Sequence, residues 1–232
     1  MKTRDRQDEW MDQPDLDAGM HADALRGLCR VNRFSGAVGS IWKPIADLAR
    51  ETNGVPLRVL DVASGGGDVA ISLKKLATRR GVPIEVVGCD ISETAIAFAT
   101  DQARDQQVDV SFIRHNVLSD PMPDGFDVVC CSLFLHHLDG DDVVRVLHAM
   151  RSAAKRRVVI SDLMRTNLGY VLAKWGIRLL TSSPVCHVDG PLSVKAALTI
   201  SEARCLAERA GWTRMDIRRN WPERFLMVCD TD

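Results

Sequence analysis

The chain has 232 residues, 46% of them hydrophobic and 26% charged, with a formal net charge of −1. That length suits one α/β domain with an added segment or two. So even a charge balance excludes a general basic field for nucleic acid or a basic tail for membranes. The seven cysteines are an odd number with no C-x-x-C pair, and Cys89, Cys130, Cys131 and Cys229 lie in apolar runs, where a thiol behaves as a small hydrophobe. This usage points to a reducing cytoplasm, without a disulfide framework or zinc site. The polar, acidic N-terminal stretch does not read as a signal peptide. No apolar run approaches the roughly 18 residues of a transmembrane helix.

From Met20 to Arg50 the pattern is helical, with Leu25, Leu28 and Cys29 on one face and Ile41, Ile45 and Leu48 on another. Strands and helices then alternate. Leu57–Val62 is a strand ending in a glycine cluster, and Val69–Leu76 continues as an amphipathic helix. Ile84–Cys89 is a second strand, ending at Asp90, and Ser92 can cap the helix that runs to about Gln106. Val108–Ile113 is a third strand. Phe126–Ser132 is a fourth, apolar throughout, as a strand buried on both faces should be. A helix over Asp141–Ala153 and a fifth strand over Arg157–Ile160 follow, ending near Asp162. Residues 163–194 hold an apolar, partly helical stretch and a loop bounded by Pro184 and Pro191. Thr199-Ile200-Ser201-Glu202 spells a capping box, and Gly211 closes that helix. Two last strands flank Trp221-Pro222-Glu223 as an antiparallel hairpin.

Alternation of this kind implies an α/β fold with a mostly parallel sheet and helices on both faces. Ligands of such sheets sit outside the carboxyl ends of the strands. Asp61, Asp90, Asn116, Ser132 and Asp162 stand there. The run from Asp61 to Asp68, D-V-A-S-G-G-G-D, follows a strand and opens a helix. Gly65 and Gly67 let the backbone turn tightly and come close to a ligand. A carboxylate at Asp90, ending the very next strand, can accept both hydroxyls of a ribose.

These residues resemble the class I methyltransferases that use S-adenosylmethionine (SAM), in particular the branch acting on small molecules. The match runs from about Leu57 to Asp162, more loosely to the C-terminal hairpin. The resemblance implies a Rossmann-like, seven-stranded sheet with an antiparallel C-terminal hairpin and a helical N-terminal extension. The family pattern is an acidic residue and then G-x-G-x-G. Here Ala63 stands at the first glycine, which requires a negative φ at that residue. By resemblance, Asp61 with Ala63, Ser64, Gly65 and Gly67 holds the amino-acid end of SAM. Asp90 holds the ribose, and Ile91 covers an adenine face. Asn116 and Val117 meet the adenine edge, while Ser132 and Leu133 reach the methionine part.

A nicotinamide-dependent dehydrogenase is the alternative enzyme. Gly65-x-Gly67-x-x-Ala70 satisfies the dinucleotide fingerprint, and Tyr170-x-x-x-Lys174 matches the catalytic pair of short-chain dehydrogenases. Against it, Asp61 stands where that family needs glycine, and a carboxylate suits an ammonium better than a pyrophosphate. A second alternative is a SAM-binding accessory protein without turnover.

On the acceptor side, His136 and His137 follow the fourth strand. A neutral histidine near a phenol or alcohol can take its proton near pH 7. His187, in the Pro184–Pro191 loop, is a reserve candidate, and His115 reads as structural. No metal constellation is expected: His136 and His137 are adjacent, with no carboxylate pair at ligand spacing. Asp139, Asp141 and Asp142 read as a solvated helix start favoured by the dipole. Residues 1–50 form a helical extension or lid and 51–232 the SAM-binding domain, in which 163–195 is a substrate-side insert. Trp42, Leu168, Tyr170, Leu172, Trp175, Leu179 and Leu180 are expected to line an apolar pocket. The expected activity is SAM-dependent methylation of a small hydrophobic or aromatic molecule, at oxygen, with no nucleic-acid partner.

Overall fold

The structure, a computed structural model, describes residues 1, 3–13, 15–52 and 54–231. Seven strands form one sheet in the order β3-β2-β1-β4-β5-β7-β6. They are β1 (Leu57–Val62), β2 (Ile84–Asp90), β3 (Ser111–Arg114), β4 (Phe126–Ser132), β5 (Ala154–Leu163), β6 (Met215–Asn220) and β7 (Arg224–Asp230). The first five pair in parallel. Strand β7 runs antiparallel between β5 and β6, which is the expected hairpin. Order reverses at β1: the chain goes outward to β2 and β3, then crosses back to β4. Crossing there opens a crevice above the carboxyl ends of β1, β2 and β4.

The helices are α1 (Ala18–Phe34), α2 (Ala37–Ala49), α3 (Asp68–Arg80), α4 (Glu93–Asp105), α5 (Gly140–Ala153), α6 (Asn167–Val171), α7 (Ile177–Leu180), α8 (Pro184–Ala196) and α9 (Ile200–Arg209). A π turn over Leu172–Gly176 joins α6 to α7. Local chemistry sets several starts. Ser92 Oγ accepts from the Ala95 N–H, Asp139 caps α5, and Thr199 with Glu202 completes the capping box of α9. Two apolar layers sandwich the sheet. One joins Leu60, Val129, Ile160 and Met227 to α5 and α9. The other joins Val59, Val128 and Leu226 to α2 and α3. No helix among the described residues is long and apolar enough to cross a membrane.

Four expectations change, the first being that β3 begins at Ser111 rather than at Val108. The segment between Pro184 and Pro191 is helix α8, not a loop. Pro184 sits in its first turn, where no N–H is missed, and the Ser183 side chain caps it. Pro191 costs one internal bond, but α8 packs on α1 and on the 167–180 helices, which holds it helical. Strand β5 begins at Ala154, three residues before the expected start, because Phe126 at the head of β4 pairs with Ala154. Trp42 is in the α2–α3 core layer, 7% exposed, and so does not line a pocket.

Candidate active site

A cleft of about 560 Å³ opens at the crossing point. The β1–α3 turn forms its floor. Ser64 N–H donates to the Cys89 carbonyl at 2.9 Å, and Gly67 N–H to the Ser64 carbonyl at 2.9 Å, so the turn is tied to β2 and to itself. Gly65 has φ +50, and nothing lies within 4 Å of where its Cβ would stand, so its backbone faces open space. Gly67 also has positive φ but lies behind the cleft wall. A Cβ there would meet Phe112 Cζ at 2.6 Å and Ala99 Cβ at 2.8 Å. Its expected cofactor contact is therefore replaced by a packing role, and Gly66 takes its place on the wall. Ala63 has φ +54, contrary to the negative φ expected of it. A methyl group in the left-handed region costs on the order of 1–2 kcal/mol, which the surrounding turn must offset.

Asp61, Ser64 and Asp90 converge on this floor. Asp61 is 1% exposed; its Oδ1 accepts weakly from Cys130 Sγ at 3.7 Å, and its Oδ2 has no partner among the described residues. Burial, reinforced by the nearby Asp68 carboxylate, pushes the Asp61 carboxyl up to about 8. A buried, unpaired carboxylate oxygen is a poor structural choice unless a cation joins it. Asp68 is raised too, by burial, despite a bond from the Asn32 side chain and the charge of Arg224. Arg224, at the start of β7, is 2% exposed and donates to Asn32 Oδ1 and Ser35 Oγ, both at 2.9 Å. Through these bonds helix α1 is fastened across the end of the sheet.

Asp90 uses both oxygens on backbone: Oδ2 accepts from Gly65 N–H at 2.8 Å and Oδ1 from Ser92 N–H at 2.9 Å. Each oxygen keeps a second lone pair, which leaves the diol contact open. Ile91 stands at the lip, 57% exposed. Asn116 and Val117 also line the cleft, and Asn116 Oδ1 accepts from Leu118 N–H at 3.1 Å, bracing the loop after β3. Ser132 and Leu133 form the wall above β4, with Ser132 Oγ buried and unpartnered among the described residues. The opposite wall comes from the N-terminal segment and α1: Met11, Leu16, His21, Leu25 and Leu28. Their apolar spacing in α1 was a signal for this face, but Met11 and His21 carried none.

The two adjacent histidines separate. His137 lines the cleft beside Phe134 and Leu138. His136 is buried under it, its Nδ1 2.6 Å from Asp162 Oδ1. Burial pushes the Asp162 carboxyl up, but the His136 ring and the Leu163 N–H outweigh it, and the carboxyl sits below its usual range. Glu9, a lone glutamate in a charged stretch, comes near both rings; its two oxygens lie 3.9 Å from His136 Nε2 and 3.9 Å from His137 Nδ1. The sequence reading expected no metal constellation, yet folding brings this carboxylate to the histidine pair from 127 positions away. His187 lies on α8, outside the cleft wall, its Nε2 2.7 Å from the Thr181 carbonyl. His115 is on the cleft wall beside Asn116, 3.9 Å from Asp120.

The insert does not supply the pocket. None of Leu168, Tyr170, Leu172, Trp175, Leu179 and Leu180 is on the cleft wall, and Trp175 and Leu179 are 61% and 89% exposed. Lys174 stacks on Trp175 and the Tyr170 ring on Lys195, so the Tyr-x-x-x-Lys pair of a dehydrogenase does not form at the cleft.

Residues 59–157 match the family model of a methyltransferase domain. The chain is similar to a demethylmenaquinone methyltransferase of Thermus thermophilus, 34% identical over 51% of this chain and 53% of that one. It is also similar to a ubiquinone biosynthesis O-methyltransferase of Pseudomonas entomophila, 34% identical over 50% of this chain and 48% of that one. The chain thus spans about half the length of both relatives. Among solved structures it superposes on magnesium protoporphyrin IX methyltransferase of Synechocystis with bound SAH, with a TM-score of 0.59 and 19% identity over 85% of this chain and 84% of that one.

Proposed function

We propose that this chain, which belongs to the class I SAM-dependent methyltransferases, methylates a small hydrophobic acceptor, at a hydroxyl oxygen of an aromatic ring. The observation that carries the reading is the unpaired, buried Asp61 oxygen beside the open Gly65 backbone, with Asp90 at the end of the next strand. A ligand with an ammonium group at one end and a ribose diol at the other satisfies both carboxylates. SAM has that outline and supplies, when bound, a methyl group on a sulfonium sulfur.

The protein's own part is alignment and exclusion of water. Asp61 and the Ala63–Gly66 turn would hold the amino-acid end, Asp90 the ribose, and Ile91, Asn116 and Val117 the adenine. Ser132 and Leu133 would then place the sulfur before the wall formed by Met11, Leu16, Leu25, Leu28 and Phe134. That wall is mostly apolar, with His21 and His137 as polar points on it, and suits a flat ring carrying an apolar substituent. The relatives named for demethylmenaquinone and ubiquinone biosynthesis support the same class of acceptor. On this reading residues 1–50 are the lid, and the 163–195 insert buttresses it from behind through α8.

The test is incubation of the full chain with methyl-labelled SAM and a panel of phenols, hydroxyquinones and amines. Label in an extractable phenol or hydroxyquinone ether, with one SAH formed per ether, is the expected result. SAM binding without transfer to any of them would instead mark an accessory SAM-binding protein.

A further inference from the structure

Glu9, His136 and His137 stand where an ion could join them. Their nearest ligand atoms all lie within 4.8 Å of one another, and Glu9 and His136 are buried. The two Glu9-to-imidazole gaps of 3.9 Å are too long for hydrogen bonds. They approach the spacing of ligands that share one ion: metal–ligand distances of about 2.0–2.2 Å at tetrahedral angles set neighbouring ligand atoms roughly 3.3–3.5 Å apart.

The groups behind these three are those a metal site needs. Asp162 Oδ1 lies 2.6 Å from His136 Nδ1, which fixes the ring with Nδ1 on Asp162 and Nε2 facing Glu9. A carboxylate on the far nitrogen of a histidine is the usual partner of a metal-bound imidazole. Glu9 is oriented in turn, its Oε1 accepting from Ser193 Oγ at 2.5 Å. The segment that carries Glu9 is sewn to the histidine turn by Arg4, whose Nη2 donates to the carbonyls of His136 and Leu138 at 3.1 and 2.6 Å. Arg6 adds a bond to the His137 carbonyl at 3.1 Å. The carboxylate is thus delivered to the rings by a fixed strand of chain.

We propose that Glu9 Oε, His136 Nε2 and His137 Nδ1 bind one divalent first-row metal ion, with a remaining position open to the cleft on the His137 side. Two imidazoles and one carboxylate suit zinc, iron(II), cobalt(II) or manganese(II) better than magnesium or calcium, which prefer all-oxygen sets. Three protein ligands with one open position is the pattern of a catalytic rather than a structural site. Resting on the methyl-transfer reading, the open position would take the acceptor's hydroxyl oxygen as its anion, with the proton released to bulk water. Coordination then lowers the hydroxyl's pKa and fixes the oxygen before the methyl group.

The test is calorimetric titration of chelator-treated full chain with zinc, and the visible spectrum with cobalt, each beside a SAM titration of the same sample. One ion per chain is expected, with a cobalt spectrum of nitrogen and oxygen ligation. Glu9→Gln keeps an acceptor for Ser193, and it should weaken zinc at least tenfold while leaving SAM affinity unchanged. His137→Ala should weaken zinc at least as much. Cys205→Ser, which removes the exposed thiol, should leave both affinities unchanged. No saturable ion, or zinc affinity unaltered in Glu9→Gln and His137→Ala, overturns the site. With SAM binding intact, that outcome leaves the methyl-transfer reading standing; loss of SAM binding in wild-type protein would sink that reading instead.

Discussion

Raising the pH should tighten SAM binding, because the Asp61 carboxyl must ionise to receive the ammonium group. In the unliganded protein burial and Asp68 hold that carboxyl at about 8, so near neutral pH it is mostly protonated. Each pH unit below 8 then adds about 1.4 kcal/mol to the cost of ionising it on binding. Between pH 6 and pH 7.5 the affinity should rise roughly 25-fold, and at pH 7 binding should release about 0.9 proton. Above that range the ligand's own amino group, with a pKa of about 8, begins to lose its charge and flattens the curve. The assay is isothermal titration at several pH values in buffers of different ionisation enthalpy, which reads affinity and proton release together. Asp61→Asn should bind more weakly, release no proton and show no rise with pH over the same range. The sign for folding is opposite. A raised acid costs stability as pH climbs from about 4, where the unfolded chain ionises, to about 8. Wild-type affinity that is flat from pH 6 to 7.5 without proton release, or a rise that survives Asp61→Asn, would refute the reasoning.

Asp90→Ala removes a charge-assisted diol contact of about 1.5–3 kcal/mol and should weaken SAM about 10–100-fold, while NAD should give no heat with either protein; heat with NAD and none with SAM would point to a dehydrogenase. Ala63→Gly relieves the left-handed alanine and should raise stability by up to about 1 kcal/mol, read as a higher denaturation midpoint at unchanged m-value; a clear loss would mean that the methyl group packs usefully. His137→Ala should lower kcat at least tenfold with SAM affinity nearly unchanged, since its ring lines the cleft where the proposed acceptor would sit; an unaltered kcat would remove it from the acceptor site.

How far the sequence could be read depended on how local the signal was. Strands β1, β2 and β4 were legible because each is an apolar run closed by Asp61, Asp90 or Ser132, and those closing residues do meet at one cleft. The capping box at Thr199 and the hairpin at Trp221 were equally local, each contained within a few residues. Helix α8 was missed because two prolines and a glycine outweighed its Ser183 cap, whereas packing on α1 decided the outcome. The lining of the cleft was misplaced for a related reason. The apolar run around Trp175 lies on the outside of the fold, while Leu25 and Leu28, noted as one face of a helix, turn toward the cleft. Glu9 was not legible at all: a lone glutamate in a charged stretch has no pattern, and only folding brings it to His136 and His137. Nor could adjacency show that His136 and His137 would part, one toward Asp162 and one toward the cleft.

The most direct measurement of the central claim is a crystal structure of the full chain with SAH bound. The account predicts the amino-acid end against Asp61 and the Ala63–Gly66 turn, the ribose hydroxyls on Asp90, and the sulfur between Ser132 and the wall that carries His137 and Leu28. SAH bound elsewhere, or in the cleft with Asp61 Oδ2 still unpaired and Asp90 away from the ribose, would contradict it.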